Sequence, residues 1–415
     1  MRQDKELSEL RWNMHQLSPN GLTMMDLFCG AGIGASGFLL AGYKVIYAVD
    51  IQKYAVDTYN QNIGNHAICA NIRNLNSNEL PDADVISGGF PCQPFSFSGN
   101  GEGEADKDKG DLGYHFYRII CEKKPKAFIM ENVNGIISKK HLSFFLKLMN
   151  LFIEAGYDVS YPTQNENPTA LNCWDYGVPQ LRKRVFVVGI RKDLDKHFEF
   201  PPTVPLEERT TIRDAIGDLP CPDGKNNHQG YGIRKDEIPY VDKVPPGGNW
   251  RDLPCEDQIQ FLGKAYHSGG GRTGFLRKIL FDQPAYTITS TMNGKNNAQI
   301  IDNQDKYYIG GYSPRYKSRN RQKQWHEPSF TIVSQARQLP LYPEPPYYDI
   351  RFMDKLEIPP PRRFTVRECL RLQTVPDWFS FGEDISLAHQ YERCSGIPSL
   401  MAYKLGLTLA KILNS

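Results

Sequence analysis

Four separated groups of residues have the side chains and spacing to do chemistry. Cys92 stands in Gly88-Gly89-Phe90-Pro91-Cys92-Gln93-Pro94, just after the apolar pair Val85-Ile86. A short apolar run stopped by glycines reads as a buried strand ending in a turn. Open α/β sheets bind ligands beyond such strand ends. Prolines on both sides stiffen the backbone there, so the thiol is either a presented nucleophile or a buried structural cysteine. Glu131 ends a second apolar run, Ala127 to Met130, where a carboxyl is costly without a purpose. Arg182 and Arg184 alternate just ahead of a third, Val185 to Ile190. The fourth group is a glycine-rich turn, Phe28-Cys29-Gly30-Ala31-Gly32-Ile33-Gly34-Ala35.

These groups need a scaffold, and the surrounding pattern supplies one. Leu22 to Phe28 reads as a buried strand entering the glycine turn, followed by an apolar helix to Ala41 and a stop at Gly42. A second strand, Val45 to Val49, ends in Asp50. Strand, glycine turn, helix, strand and terminal carboxylate make a nucleotide-binding βαβ unit, in which the acid can grip ribose hydroxyls. Gly30-x-Gly32-x-x-Ala35 satisfies the NAD fingerprint, and the same unit also serves S-adenosylmethionine, so fold alone does not choose. Residues 53–62 and 140–155 and Tyr114 to Glu122 read as helices, Asp84 to Ser87 as a strand, and Gly99 to Gly110 as a polar loop able to act as a lid. Leu7, Leu10, Met14 and Leu17 mark an amphipathic helix over 5–17. Repeated βα alternation predicts a doubly wound, mostly parallel sheet of α/β class. Thr365, with Glu368 three residues on, caps a helix to Gln373, and an apolar helix over 399–413 docks on the first domain.

Past residue 198 prolines and glycines multiply, helical periodicity fades and short strands appear between turns. We expect a second, irregular, mostly-β domain over 199–356, a hinge over 357–384, and a first domain made of 1–198 plus 385–415. Gln283-Pro-Ala-Tyr-Thr-Ile288 is weakly echoed by Glu327-Pro-Ser-Phe-Thr-Ile332. The 415 residues carry a net charge of only +2, so any nucleic-acid surface must be local. Arg315, Lys317, Arg319, Arg321 and Lys323 fall on alternate residues, which on an extended segment is one basic face. Such a face is either a solvated edge or a ridge that tracks phosphates. Nine scattered cysteines argue against a disulfide framework or a zinc site, so no metal is expected. The charged N-terminus has no signal core and no apolar run reaches membrane length, so a cytoplasmic protein without a membrane partner is expected.

In order and chemistry the marked residues closely resemble the DNA (cytosine-5)-methyltransferases of the bacterial restriction–modification type. Asp26-Leu-Phe-Cys-Gly-Ala-Gly32 resembles their S-adenosylmethionine loop and Pro91-Cys92-Gln93 their catalytic motif. Glu131-Asn-Val133 and Gln180-x-Arg182-x-Arg184 resemble two further active-site motifs. Arg363-Phe-Thr-Val-Arg367-Glu368-x-x-Arg371-Leu-Gln373 resembles the motif that braces their target-recognition domain. The match spans residues 22–190 and 362–413. It implies that S-adenosylmethionine is the cofactor, held by Phe28, Gly30, Ala31, Gly32, Ile33, Gly34, Asp50, Ile51, Asn71, Ile72, Pro91, Leu112 and Ser395. It assigns addition at cytosine C6 to Cys92 and stabilisation at N3 to Glu131. Arg184 would stand near the base carbonyl, and Arg182 would support the loop. A thiol of pKa near 8.5 is helped by nearby cations, for which Arg182 and Arg184 are the nearest candidates.

Attack at C6 needs the ring face that stacking hides, so the base must flip out of double-stranded DNA. The loop over 93–110 would close behind it, with Gln93, Ser96 and Ser98, and the basic residues 315–323, on the DNA. Three positions depart from the family pattern: Asp50 for a usual Glu, Asn71 for a frequent Asp, and Cys394-Ser-Gly-Ile-Pro398 for Gly-Asn-x-Val-Pro. Rival readings are a transfer-RNA cytosine-5 methyltransferase and a catalytically silent DNA-binding relative. A monomer is expected, with a restriction endonuclease of the same site as a possible companion.

Overall fold

In the computed structural model, residues 17–90, 112–219, 224–230, 232–263, 266, 274–289, 299–301 and 362–415 are described. The expected helix over 5–17 (all but its last residue), the loop over 99–110 with Cys92, the basic alternation 315–323 and the echo at 327–332 lie outside them.

The first strand, β1 (Thr23–Leu27), is apolar on both sides: Met24 packs toward one face and Met25 toward the other. The alternation repeats in β4 (Val85–Gly88) and β5 (Ala127–Val133), where Val85 and Ile129 share the face of Met24, and Ile86 and Phe128 that of Met25. Strands covered on both faces read as continuous apolar runs, which is why each was visible in sequence. With β2 (Lys44–Asp50), β3 (Ala67–Cys69), β6 (Tyr157–Ser160) and β9 (Lys183–Arg191) they form one sheet in the order β3-β2-β1-β4-β5-β9-β6. The short β7 (Leu171–Asn172) pairs with the start of β9. From β3 to β5 every neighbour is parallel, whereas β9 runs antiparallel to both β5 and β6.

Helices fill both faces. α3 (Leu112–Lys123) and α4 (Leu142–Glu154) bury Phe116, Phe145, Leu148 and Phe152 on one. α1 (Ile33–Leu40) and the C-terminal α7 (Ser399–Asn414) bury Phe38, Met401, Leu405 and Leu409 on the other. α1 and α7 touch closely: Ser36 and Ser399 hydroxyls lie 2.8 Å apart, and Tyr43 Oη donates to the Gly406 carbonyl at 2.9 Å. α2 (Lys53–Asn62) follows β2. This is the expected doubly wound α/β architecture. No helix among the described residues is long and apolar enough to cross a membrane.

By contacts the chain divides into Met1–Gly230, Gln283–Asn293 and Thr365–Ser415 as one unit, and Tyr231–Asp282 with Gly294–Phe364 as the other. The described residues of 199–230 and 283–289, placed by sequence in the second domain, thus cluster with the first. Hydrogen bonds give the reason. Trp174 Nε1 donates to the Thr210 carbonyl at 2.9 Å, and Ile212 N to the Gln283 carbonyl at 2.9 Å. β10 (Ala285–Tyr286) pairs with β8 (Gln180–Leu181). α5 (Val366–Leu372) starts with the expected capping box between Thr365 and Glu368. Its buried Arg367 donates to the carbonyls of Asn226 and Phe379, and Arg371 to Asp377 and Asp218.

The second unit has its own apolar cluster of Val241, Val244, Trp250, Leu253, Phe261, Leu262, Leu276 and Ile300. Short strands Arg277–Lys278 and Gln299–Ile301 pair there, joined by Arg362–Arg363, which sequence had placed in the hinge, and Cys255–Leu262 adds a helix the fading periodicity had hidden.

Candidate active site

The glycine loop between β1 and α1 is shaped by three left-handed residues: Phe28 (φ 60°), Gly30 (φ 53°) and Gly32 (φ 91°). At Gly32 a Cβ would also stand 2.8 Å from Ile63, so glycine is required twice over. Phe28 has no such freedom, and its conformation turns the ring into a cavity edge-on to Phe90, 6.4 Å between centroids. Asp50, at the end of β2, fastens the loop: its Oδ2 accepts from Gly30 N at 3.0 Å and its Oδ1 from Gln52 N at 2.9 Å.

Above the loop lies a cavity of about 500 Å³. Its wall contains Phe28, Gly30, Ala31, Ile33 and Gly34 from the loop, with Asp50 and Ile51 after β2. Asn71, Ile72 and Leu112 continue it on one side and Ser395 on another. Gly32 shapes the loop without lining the wall. Asn71 Oδ1, expected to accept from a ligand, caps a turn by accepting from Arg73 N at 3.1 Å. Ser395 Oγ lies 3.5 Å from the Glu392 carbonyl. Pro91 is outside the described residues.

Glu131, Arg182 and Arg184 reach the same cavity. Sequence had the strand from Ala127 ending in Glu131-Asn132-Val133, where β5 ends, and placed both arginines before the next strand. Instead β9 begins at Lys183 and takes in Arg184, because the two strands pair antiparallel, Glu131 opposite Phe186 and Arg184 opposite Val133. That register brings Arg184 Nε to 2.9 Å from Glu131 Oε1, both side chains 14% exposed. A Cβ on Gly89 would stand 3.0 Å from Glu131 Oε2, so glycine there lets β4 end against the carboxylate. Arg182 Nη1 donates to the Ile288 carbonyl at 3.0 Å, and buried Gln180 accepts from Ile288 N at 2.8 Å while donating to the Leu372 carbonyl at 3.1 Å. The 283–288 segment is therefore tied to the arginine strand. Asn132 Nδ2 reaches the Phe90 carbonyl at 3.4 Å. From Phe90, on the cavity wall, the chain continues to Pro91 and Cys92, which with Gln93, Ser96 and Ser98 lie outside the described residues.

Two other cysteines come near, and both are held as thiols. Burial pushes Cys29 well up, helped by the charges of Asp26 and Asp50. Cys173 rises to about 11 by burial, although Arg182 and Arg184 pull it down. Asp26, Gln52, Arg73, Glu392 and Arg393 also line the cavity and were not singled out as site residues from sequence. The Asp at 26 was visible in its motif. Glu392 and Arg393 carry no signal of their own and are recognisable only from the fold.

An α/β/α sandwich with a glycine loop, a strand-end carboxylate and a Glu–Arg pair in one cavity defines a nucleotide-cofactor enzyme. The family model of the C-5 cytosine-specific DNA methylases matches residues 22–406, and the chain belongs to that family of enzymes. It is 34% identical over 365 residues to the Type II methyltransferase M.MthTI of Methanothermobacter thermautotrophicus, covering 87% of this chain and 88% of that one. M.FnuDI of Fusobacterium nucleatum is 32% identical, covering 87% and 86%, and M.NgoPII of Neisseria gonorrhoeae 30%, covering 95% and 97%. Among solved structures, the Entamoeba histolytica methyltransferase EhMeth superposes with a TM-score of 0.54 at 17% identity, covering 94% of this chain and 97% of that one. The S. pombe Dnmt2 methyltransferase gives 0.51 at 15%, covering 95% and 98%, which shows the shared fold. The restriction–modification type implied by the motif order agrees with these relatives. The NAD reading is set aside.

Proposed function

We propose that this chain transfers a methyl group from S-adenosylmethionine to C5 of a cytosine flipped out of a specific duplex DNA sequence, through an adduct between Cys92 Sγ and cytosine C6. The observation that carries this reading is the Glu131–Arg184 pair opening onto the same cavity as the glycine loop.

The residues present fit the cofactor. A cavity of about 500 Å³ lies within the ~300–1,000 Å³ of small-molecule sites. Asp50 ends β2 where a ribose diol is gripped in such folds, and Phe28 and Ile51 offer apolar surface to an adenine. When bound, S-adenosylmethionine supplies an electrophilic methyl on its sulfonium. The chain does the rest. Cys92, as thiolate, adds to C6 and drives the electron pair into the ring. Arg184 fixes one oxygen of Glu131, and the carboxyl holds a proton at N3 as charge gathers there. Arg182 supports the wall through Ile288. C5, made electron-rich by that addition, would take the methyl group as its bond to sulfur breaks; loss of the C5 proton to water would then expel Cys92 Sγ and restore the aromatic ring. Gln93, Ser96, Ser98 and the basic residues 315–323 contact the DNA, and the protein acts as a monomer.

The test is a duplex carrying 5-fluorocytosine at the methylated position, where fluorine cannot leave as a proton does. With S-adenosylmethionine present it should trap the wild-type protein at Cys92, and Cys92→Ser should abolish both trapping and methyl transfer. Trapping at another cysteine overturns the assignment. Preferential labelling of transfer RNA over duplex DNA overturns the substrate.

A further inference from the structure

Arg393 lines the cavity at the end of α6 (Leu387–Arg393), two residues before Ser395. One nitrogen of its guanidinium is held. Nη2 donates to Tyr54 Oη at 3.2 Å and stands 3.5 Å from Glu392 Oε1, with the group 5.1 Å from the centre of the Tyr54 ring. Tyr54 is fixed in turn, donating to Glu392 Oε2 at 2.9 Å and stacking on His389 at 4.1 Å with ring planes 9° apart. Arg393 Nε is buried and meets no acceptor. Proteins pair nearly every buried N–H, and an unmade bond to a charged donor is destabilising. The positioned, half-satisfied guanidinium therefore calls for an acceptor arriving with a ligand.

Location and charge identify it. The segment after Arg393 covers the glycine loop: Ile397 is in van der Waals reach of Gly34, and Gly396 of Ile33. Two of the other three cavity arginines are committed, Arg184 to Glu131 and Arg182 to a backbone carbonyl, while Arg73 belongs to the turn that Asn71 caps after β3. S-adenosylmethionine carries a single anion, the carboxylate of its amino-acid tail, since its ribose and adenine are neutral. We propose that Arg393 is a cofactor-positioning residue that receives this carboxylate through Nε and the second N–H of Nη2. This rests on the cofactor reading above. A guanidinium edge presents two parallel N–H groups that match two carboxylate oxygens. It also lies two residues before Ser395, where the family's usual asparagine is replaced by a shorter side chain.

Calorimetric titration of two ligands separates the tail from the nucleoside. S-adenosylhomocysteine keeps the carboxylate, and 5′-methylthioadenosine lacks the whole tail. Arg393→Ala should weaken S-adenosylhomocysteine by roughly 10- to 100-fold, the range of a lost charged hydrogen bond, and leave methylthioadenosine within about twofold. Arg393→Lys should recover part of the loss. Arg393→Gln, which keeps a donor for Tyr54, repeats the comparison if the alanine variant does not fold. Equal weakening of both ligands would place Arg393 at the nucleoside and overturn the proposal, as would no change in either. A wild-type protein that binds neither ligand overturns the cofactor reading itself, and this one with it.

Discussion

Asp26 is 8% exposed within β1, and Ser87 Oγ donates to its Oδ1 at 2.6 Å. Burial lifts its pKa from the ordinary 3.8 to about 7, with the charge of Asp50 adding to the rise and the Ser87 hydrogen bond opposing it. A carboxyl raised in the folded state favours folding below its unfolded pKa, and that contribution is lost as pH rises through the folded value. Folding free energy should therefore fall between about pH 4 and pH 7, by a few kcal/mol, and Asp26→Asn should remove this component. Urea denaturation of both proteins across the range measures it. His66 and His141, lowered by burial from 6.5, act in the opposite sense as pH falls, so the difference between the proteins is the quantity to read. An Asp26→Asn protein with the same pH slope as wild type would refute the account.

At the scale of elements, the contact between α1 and α7 leaves no room for a side chain at Gly37. A Cβ there would collide with the Ser399 carbonyl oxygen and lie 2.8 Å from Ala402 Cβ and 2.9 Å from Tyr403 N. The obstacle is backbone, which cannot rotate away. Gly37→Ala should destabilise the protein by about 3 kcal/mol, the upper end of overpacking effects. Gly156→Ala, whose Cβ meets nothing but whose φ is +94°, should cost only about 1–2 kcal/mol. Chemical denaturation of the pair distinguishes crowding from backbone strain, and equal losses would contradict it.

Elements such as α2 and α4, and the strands of the parallel core, were legible because burial on one or both faces writes a period into the chain. The antiparallel sense of β9 was not legible, since an apolar run carries no direction. That sense decides whether Glu131 meets Arg184. Asp50, Glu131 and the glycine loop were readable because their chemistry has a sequence signature. Arg393 was not, because its meaning comes from Tyr54, which lies 339 residues away.

At the scale of the molecule, DNA binding is proposed to draw on the alternate cations from Arg315 to Lys323, in a protein whose net charge is only +2. If they meet phosphates, replacing Arg319 and Arg321 with Ala should weaken cognate and random duplexes alike. It should also flatten the log–log salt dependence by about one unit per lost contact. A loss of about 1–3 kcal/mol confined to the cognate duplex would mean that one of them reads a base instead. Titrations on both duplexes at several salt concentrations decide, and unchanged binding would remove the ridge from the interface. The closure of the cavity by the Glu392–Ile397 segment carries a different consequence. The helices that follow the glycine loop and the segment that roofs it, α1 and α7, are joined through Ser36 and Ser399, 363 residues apart. During synthesis the loop emerges well ahead of the segment that roofs it. Until residues 392–397 have left the ribosome, the site lacks Arg393 and its cover. Under the cofactor reading proposed above, affinity for the methyl donor should therefore rise only once that segment has been made.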